Sequence, residues 1–350
     1  MGVNLTPIAV RHPTSLEALR GKRIAVDGNL ELYQFLSVVR LRDGSPLQDA
    51  QGRITSHLNG LIFRTTRLVA DYDLRPVFVF DGPPPDLKRA ELASRRAARE
   101  RTQRAYEEAL RAGNLGTAWS KAVMTSRLTR EMVEEAKALL TYLGIPWVQA
   151  PSEGEAQAAF LARRGDVWAV GSKDYDSLLF GAPRLVRFLA VRSTEFLPSR
   201  GRVRVVPPEV LDLEENLRAL GLTRGQLVDA SILVGTDFFP GVKGFGPKTA
   251  VRRLREWGSL DAAPAEVSGK LPENIEAIRT FFLDPPVIGD VPLSPQSPDP
   301  DHALRFLCEE RDFSRDRVAA ALERLTKAVP GKPHLEDFDD RAPSLGPRNG

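Results

Sequence analysis

Four short apolar runs in this chain each close on aspartate, and this recurrence limits the fold more than any other feature. They are Arg23-Ile-Ala-Val-Asp27, Arg75-Pro-Val-Phe-Val-Phe-Asp81, Val167-Trp-Ala-Val-Gly-Ser-Lys-Asp174-Tyr-Asp176 and Ile232-Leu-Val-Gly-Thr-Asp237. The fourth reads equally well as the close of a helix. β-rich runs separated by long helical stretches predict an α/β chain with a central, mostly parallel sheet flanked by helices. In such sheets ligands bind beyond the carboxyl ends of the strands, where Asp27, Asp81, Asp174 and Asp176 would all project.

A second stretch, Ala150-Pro-Ser-Glu-Gly-Glu-Ala-Gln-Ala-Ala-Phe160, opens a helix with two glutamates. Ser152 is the natural N-cap, and Ser152-x-x-Glu155 makes a capping box that needs no function. Glu153 is not required by that box. A helix N-terminus tolerates packed negative charge, so the pair also suits a metal site. The four aspartate-ending runs favour the second reading.

Composition removes other chemistries. The lone Cys308 excludes a disulfide framework and a cysteine-ligated metal, and four histidines argue against a His-ligated zinc. No apolar run approaches a membrane span, and no signal peptide is visible. Net charge is only +3, so any nucleic-acid footprint must be local. The start, Met1-Gly-Val-Asn-Leu-Thr6, formally fits a myristoylation pattern, but no second membrane signal accompanies it. The reading taken is removal of Met1, which leaves Gly2 as a small, flexible, positively charged end.

Along the chain, Leu30–Arg40 predicts an amphipathic helix. Its Tyr33 is either a core aromatic or, a turn or two beyond Asp27, a face of the same site. Thr55–Arg67 predicts a further helix. After Asp81, Pro83-Pro84-Pro85 breaks the chain. Lys88, Arg89, Arg95, Arg96, Arg99, Arg101, Arg104 and Arg111 then fall in a helical stretch without a continuous apolar stripe. Glu91, Glu100, Glu107 and Glu108 would balance them on an ordinary solvated helix. A basic helical cover leaving a candidate catalytic strand also suits a polyanionic strand.

The run Gly241-Val-Lys-Gly244-Phe-Gly246-Pro-Lys248-Thr-Ala nearly matches a P-loop, but Pro247 intrudes before Lys248. The dinucleotide fingerprint fails at Thr249. Both are excluded. What remains is a glycine hairpin opening a helix, where Gly244 and Gly246 allow close backbone approach and free N–H groups hold a phosphate. Lys248, Arg252 and Arg253 add charge, which reads as binding to the DNA backbone without regard to base sequence. A proline-rich loop, 284–300, precedes a last helix near Arg315–Lys327. The stretch from Pro330 to Gly350 has the composition of a disordered tail.

In this order the motifs resemble the XPG-type five-prime nucleases, and among them the flap endonucleases of archaeal form, from Gly2 to about Lys327. They are Met-Gly-Val, Leu-Tyr33-Gln-Phe-Leu, Thr-Ser-His-Leu, Val-Phe-Asp81-Gly-x-Pro-Pro, Ala-Pro-Ser-Glu153-Gly-Glu155-Ala-Gln-Ala-Ala, Asp174-Tyr-Asp176-Ser-Leu-Leu-Phe-Gly and Val-Gly-Thr-Asp237. The short spacer between Asp81 and Glu153 favours flap endonucleases over relatives with a long insertion there.

The resemblance implies a PIN-like nuclease core with a helical arch and a helix-hairpin-helix. The expected units are core halves at 1–85 and 131–230, an arch at 86–130, a helix-hairpin-helix at 231–257, C-terminal helices at 258–327 and a tail at 328–350. It implies seven metal ligands: Asp27, Asp81, Glu153, Glu155, Asp174, Asp176 and Asp237. They would hold two magnesium ions, with manganese able to substitute. It implies catalytic roles for Lys88 and Arg95, and DNA contacts by Gly2, Tyr33, Gly244, Gly246, Lys248 and Arg252. A monovalent cation would sit on backbone carbonyls at Gly241–Gly246. The implied substrate is branched DNA with a 5′ flap, cut endonucleolytically and with 5′–3′ exonuclease activity in replication and repair. The implied protein is a monomer of the cytoplasm and nucleoid that binds a sliding clamp through its tail.

The chemistry of the residues agrees, because oxygen-only ligands suit magnesium and no nucleophilic side chain is then needed. Three departures stand out. Gly28-Asn29 follows Asp27 where Ala and another small or polar residue are usual. Lys173 precedes Asp174 where glutamine is usual, and would partly neutralise the site. In the tail, Leu335 and Phe338 are placed for clamp binding, but Lys332 and Asp339 replace the expected Gln and second aromatic. Two alternatives differ in kind. A non-catalytic DNA-junction binder has no use for seven acids. A small-molecule phosphatase has no use for the hairpin and the basic stretch.

Overall fold

The structure is a computed structural model that describes residues 2–41, 44–89, 91–93, 100–102, 104, 108, 111, 127–189, 194–197 and 202–328. Its frame is a seven-stranded sheet. In chain order the strands are β1 (His12–Pro13), β2 (Arg23–Asp27), β3 (Arg75–Phe80), β4 (Trp147–Gln149), β5 (Ala169–Gly171), β6 (Arg184–Arg187) and β9 (Glu209–Asp212). β7 (Thr194–Leu197) and β8 (Arg202–Val205) pair separately as an antiparallel hairpin. The order across the main sheet is β1-β9-β6-β5-β2-β3-β4. β2 pairs in parallel with both β3 and β5, and β3 with β4 and β5 with β6 are parallel as well. Among the described strands of this sheet only β9 is reversed, so that its pairings with β6 and with the edge strand β1 are antiparallel. The mostly parallel sheet expected from the sequence is what forms.

Period-two alternation divides the strand side chains between two cores. Ala25, Val77, Val79, Val148, Val170, Leu185 and Leu211 point to one face, and Ile24, Val26, Phe78, Phe80, Ala169 and Val186 to the other. The second face is covered by α1 (Gly28–Val38), α2 (Ser56–Tyr72) and α3 (Arg130–Tyr142). The first face is covered by α4 (Gly154–Arg164), the short α5 (Asp176–Leu179), α7 (Arg224–Val234) and α8 (Pro247–Trp257). α6 (Leu213–Leu220) follows β9 and ends at Gly221 in a left-handed cap. Among the described residues the C-terminal helices are α9 (Ala265–Ser268), α10 (Ile275–Leu283), α11 (Pro300–Leu304) and α12 (Arg315–Ala328). α10 joins the first core through Ile278 and Phe282; α11 and α12 join the second through Ala303, Leu322 and Leu325.

Two helix starts differ from the sequence reading. α1 begins at Gly28, two residues early, because Asp27 caps it: its Oδ1 accepts from Leu30 N at 2.9 Å. Ser152 does not cap α4. Glu153 holds the cap position without a side-chain cap bond. The Ser152 carbonyl accepts from Gly82 N at 2.6 Å, which ties the α4 entry to the chain leaving β3. Of the expected arch, Arg95 lies outside the described residues, as do Arg96, Arg99 and the entire tail from residue 329 with Leu335 and Phe338.

α1 and α2 cross where Gly60 faces Phe35, and a Cβ at Gly60 would overlap the buried Phe35 ring. Gly60→Ala should therefore destabilise the protein by about 1–3 kcal/mol through overpacking. Urea titration checks this, and an unchanged midpoint would show that the helices part at no cost.

Candidate active site

All seven acids singled out in the sequence gather beyond the carboxyl ends of the parallel strands. Asp27 ends β2, and Asp81 follows β3 directly. Asp174 lies in the turn after β5, and Asp176 opens α5. Glu153 and Glu155 sit at the cap and first turn of α4, beside β3. Asp237 comes from the loop after α7, because the fourth apolar run closes a helix.

Backbone donors fix several of these carboxylates. Gly154 N donates to Asp81 Oδ1 at 2.7 Å, and Val3 N donates to Asp176 Oδ1 at 2.8 Å. The N-terminal segment thus enters the site. A Cβ at Gly2 would lie 2.5 Å from Asp176 Oδ1, so only glycine passes there without displacing the carboxylate. Lys88, in the short 3-10 turn Asp86–Lys88, places Nζ 2.6 Å from Glu153 Oε2 and 3.3 Å from Asp237 Oδ2.

The electrostatics follow from burying like charges together. Burial, then the neighbouring Asp81, holds the Asp27 carboxyl well above the usual carboxylate range. Burial, then Asp176, Asp174 and Asp27, does the same to Glu155. Burial and Asp237 push Asp176 up to about 7. Glu153 is also raised by burial, with Lys88 opposing. Burial works against the Lys88 charge, but Glu153, Asp237 and Asp81 outweigh it and carry the ammonium above the ordinary lysine range.

The donor set is oxygen only, and Glu155 Oε1 is buried without a hydrogen-bond partner. Among the described residues no three acid, histidine or cysteine side chains close into a cage for one ion. An open, oxygen-rich site of this kind fits a hard cation that keeps several of its waters, as magnesium does.

Several supporting residues had no sequence signal. Asn29, noted only as unusual, accepts from Asp81 N at 3.2 Å through Oδ1. Gly28 beside it packs against the Phe80 ring, which a Cβ would reach at 2.6 Å. Ser172 Oγ accepts from Asp174 N at 3.2 Å. Buried Arg187 binds the Lys173 carbonyl at 2.9 Å and the Tyr175 hydroxyl at 2.7 Å, and Tyr175 in turn reaches Thr6 Oγ1 at 3.0 Å. The Asp174–Asp176 turn is thereby tied both to β6 and to the N-terminal segment. Lys173 acts on Glu31: burial pushes Glu31 up to about 7, with Lys173 and Arg64 opposing the rise.

Tyr33 is 37% exposed on the second turn of α1, which removes the core reading. Between α7 and α8, the chain packs closely on its own backbone at Gly235 and Gly241. These take φ of 116° and 85°, and a Cβ on Gly241 would meet Val234 O at 2.5 Å. Gly244 has φ 94°, and neither it nor Gly246 has an atom within 4 Å of a Cβ position. Gly244, Gly246, Lys248 and Arg252 are all exposed, and Pro247 is the first residue of α8. The hairpin thus offers an open helix start rather than a packed turn.

The mostly parallel sheet and the acids at its carboxyl ends are those of an XPG-class nuclease. The family model described as XPG N-terminal domain matches residues 2–102, and the XPG I-region matches 144–237. The chain is 49% identical over 329 residues to flap endonuclease 1 of Caldivirga maquilingensis, covering 93% of this chain and 94% of the other. It is 48% identical over 325 residues to that of Archaeoglobus fulgidus, covering 93% and 96%. The solved flap endonuclease-1 from Methanococcus jannaschii matches with a TM-score of 0.74 and 39% identity, over 93% of this chain and 98% of that one. The catalytic core of Rad2 in complex with DNA substrate matches at 0.68 and 26% identity, over 93% and 100%. The chain belongs to the flap endonuclease family, structure-specific nucleases that hydrolyse DNA phosphodiester bonds at 5′ flaps.

Proposed function

We propose that Asp27, Asp81, Glu153, Glu155, Asp174, Asp176 and Asp237 hold two magnesium ions, with manganese able to replace them, and that the site so formed cuts 5′ flaps near the junction of single strand and duplex. The observation that carries this reading is the convergence of seven acids on one cleft, with their charge only partly balanced by Lys88. The bound ions would lower the pKa of the attacking water and stabilise the leaving oxygen. The residues of the chain place the reactants. Val3 N and Gly154 N orient Asp176 and Asp81. Lys88 stands beside the cluster, where its ammonium neutralises charge gathering on the phosphate oxygens. Arg95 is assigned the same task from the arch. Exposed Tyr33 offers a face for a base to stack on.

The segment 231–257 is assigned to the duplex. Lys248 and Arg252 lie one turn apart on the exposed side of α8, and the free N–H groups at its start suit a phosphate. A monovalent cation would rest on carbonyls of Gly241–Gly246. The enzyme would act as a monomer, with exonuclease activity beside flap cleavage, and would bind a sliding clamp weakly through Leu335 and Phe338.

Magnesium-dependent cutting of a labelled double-flap DNA, with the cut position mapped, tests the activity. Binding without any cut would leave a junction-binding protein instead. For the hairpin, Lys248→Ala combined with Arg252→Ala should weaken duplex binding and reduce the log–log salt slope by about one to two, since each phosphate contact contributes about 0.9. A wild-type slope in this double variant would remove the hairpin from the DNA interface.

A further inference from the structure

Lys88 occupies a position where its charge and a divalent ion compete for the same oxygens. Its ammonium contacts Glu153 and Asp237 at 2.6 and 3.3 Å, and these side chains are only 14%, 14% and 10% exposed. Little water screens them. The Nζ also lies 5.8 Å from the ring centre of Phe238. That ring meets Phe281 and Phe282 edge-on, with centroid separations of 5.0 and 5.2 Å. The lysine stem rises from a 3-10 turn directly after the three prolines, so its root is short and fixed.

We propose that Lys88 is the resident counter-cation of the acid cluster: it exchanges with divalent ions for Glu153 and Asp237, and the Phe238 ring, already 5.8 Å from the ammonium in the paired state, keeps it beside the site once displaced. The inference rests on the assignment of those two acids as metal ligands. Without an ion, Lys88 keeps two buried carboxylates together that would otherwise repel each other. An arriving divalent ion shares oxygens with a like charge and expels it. The π face of Phe238 holds the expelled ammonium near the cleft, with its donors free for a phosphate oxygen. Metal loading and the arming of Lys88 are then one event, and metal affinity is set by exchange rather than by attraction alone.

Isothermal titration of the full-length protein with magnesium and manganese chloride, without DNA, reads this directly. Lys88→Met removes the competing charge and should bind either metal about tenfold more tightly. Lys88→Arg keeps the charge and should stay closer to wild type than Lys88→Met. Glu153→Gln controls for the ligand assignment and should weaken binding about tenfold or more. If Lys88→Met binds metal no more tightly than wild type while Glu153→Gln is weakened, the exchange is overturned. If Glu153→Gln binds as wild type, the ligand assignment falls and the exchange with it. Thermal melts give a second reading: Lys88→Met should melt below wild type in chelator and gain more from saturating magnesium. An equal or smaller gain overturns the proposal.

Discussion

Asp174→Asn should lower magnesium-dependent turnover on a double-flap DNA by about three orders of magnitude or more, equivalent to roughly 4 kcal/mol of lost transition-state stabilisation. Binding of the same DNA should stay within about twofold, because DNA affinity comes chiefly from basic side chains on the phosphate backbone. Asp174 lies at the centre of the cluster, its charge felt by Asp27, Glu155 and Asp176. Asparagine keeps the shape of the side chain, and the backbone bond from residue 174 to Ser172 Oγ does not involve that side chain. The turn held by Arg187 therefore persists, and lost turnover reports lost metal ligation rather than misfolding. Single-turnover cleavage beside a binding isotherm checks both halves. Near-normal cutting in magnesium would remove Asp174 from the ligand set.

The second large effect concerns stability. In metal-free buffer near neutral pH, Asp176→Asn should melt above wild type. The Asp176 carboxyl is raised from 3.8 to about 7, by burial first and by Asp237 second. A raised folded value means that the native state holds a proton the unfolded chain has released. The stability contributed by this group is therefore full below about pH 4 and is lost as pH rises toward 7. Above that window the cost is of order 2–4 kcal/mol. Asparagine avoids it, and its side-chain oxygen still accepts from Val3 N in place of Asp176 Oδ1. The two proteins should melt together near pH 4 and separate progressively up to pH 8. Saturating magnesium should reverse their order, since wild type gains binding free energy that the variant lacks. Melts across pH, in chelator and in magnesium, check this. If the metal-free variant melts at or below wild type at pH 8, repulsion among buried acids is not the source of the cost.

The strands that carry the site were legible because their chemistry is local. Apolar runs of β-branched and aromatic residues ending at Asp27 and Asp81 state both the element and its direction. The edge strands were not legible. β1 is two residues long and exists only because His12 and Pro13 pair with β9, nearly two hundred residues away. Helix starts failed where one side chain had two uses. Asp27 is a site acid and also the cap of α1, whereas α4 starts one residue later than a serine cap would place it, with Glu153 at the cap position. Arg187 was silent in the sequence, being one of two arginines that bracket the apolar pair Leu185-Val186 of β6. Its partners, the Lys173 carbonyl and the Tyr175 hydroxyl, come together only in three dimensions. In the hairpin the glycines at 244 and 246 were legible as an open approach, and the structure leaves both clear of other atoms; the sequence did not mark Gly235 and Gly241 as the positions that avoid backbone clashes.

The placement of β2 between β3 and β5 has a consequence for synthesis on the ribosome. Asp27 emerges early, but the strand that completes its second flank ends at Gly171, and Asp237 follows later still. At roughly 5–20 residues per second, an elongating chain spends many seconds with an acid-bearing strand lacking its neighbour. No truncated product ending before Asp237 assembles the full set of carboxylates. A chain that stops before Asp237 therefore lacks part of the proposed metal-binding set, which is complete only when most of the polypeptide has been made.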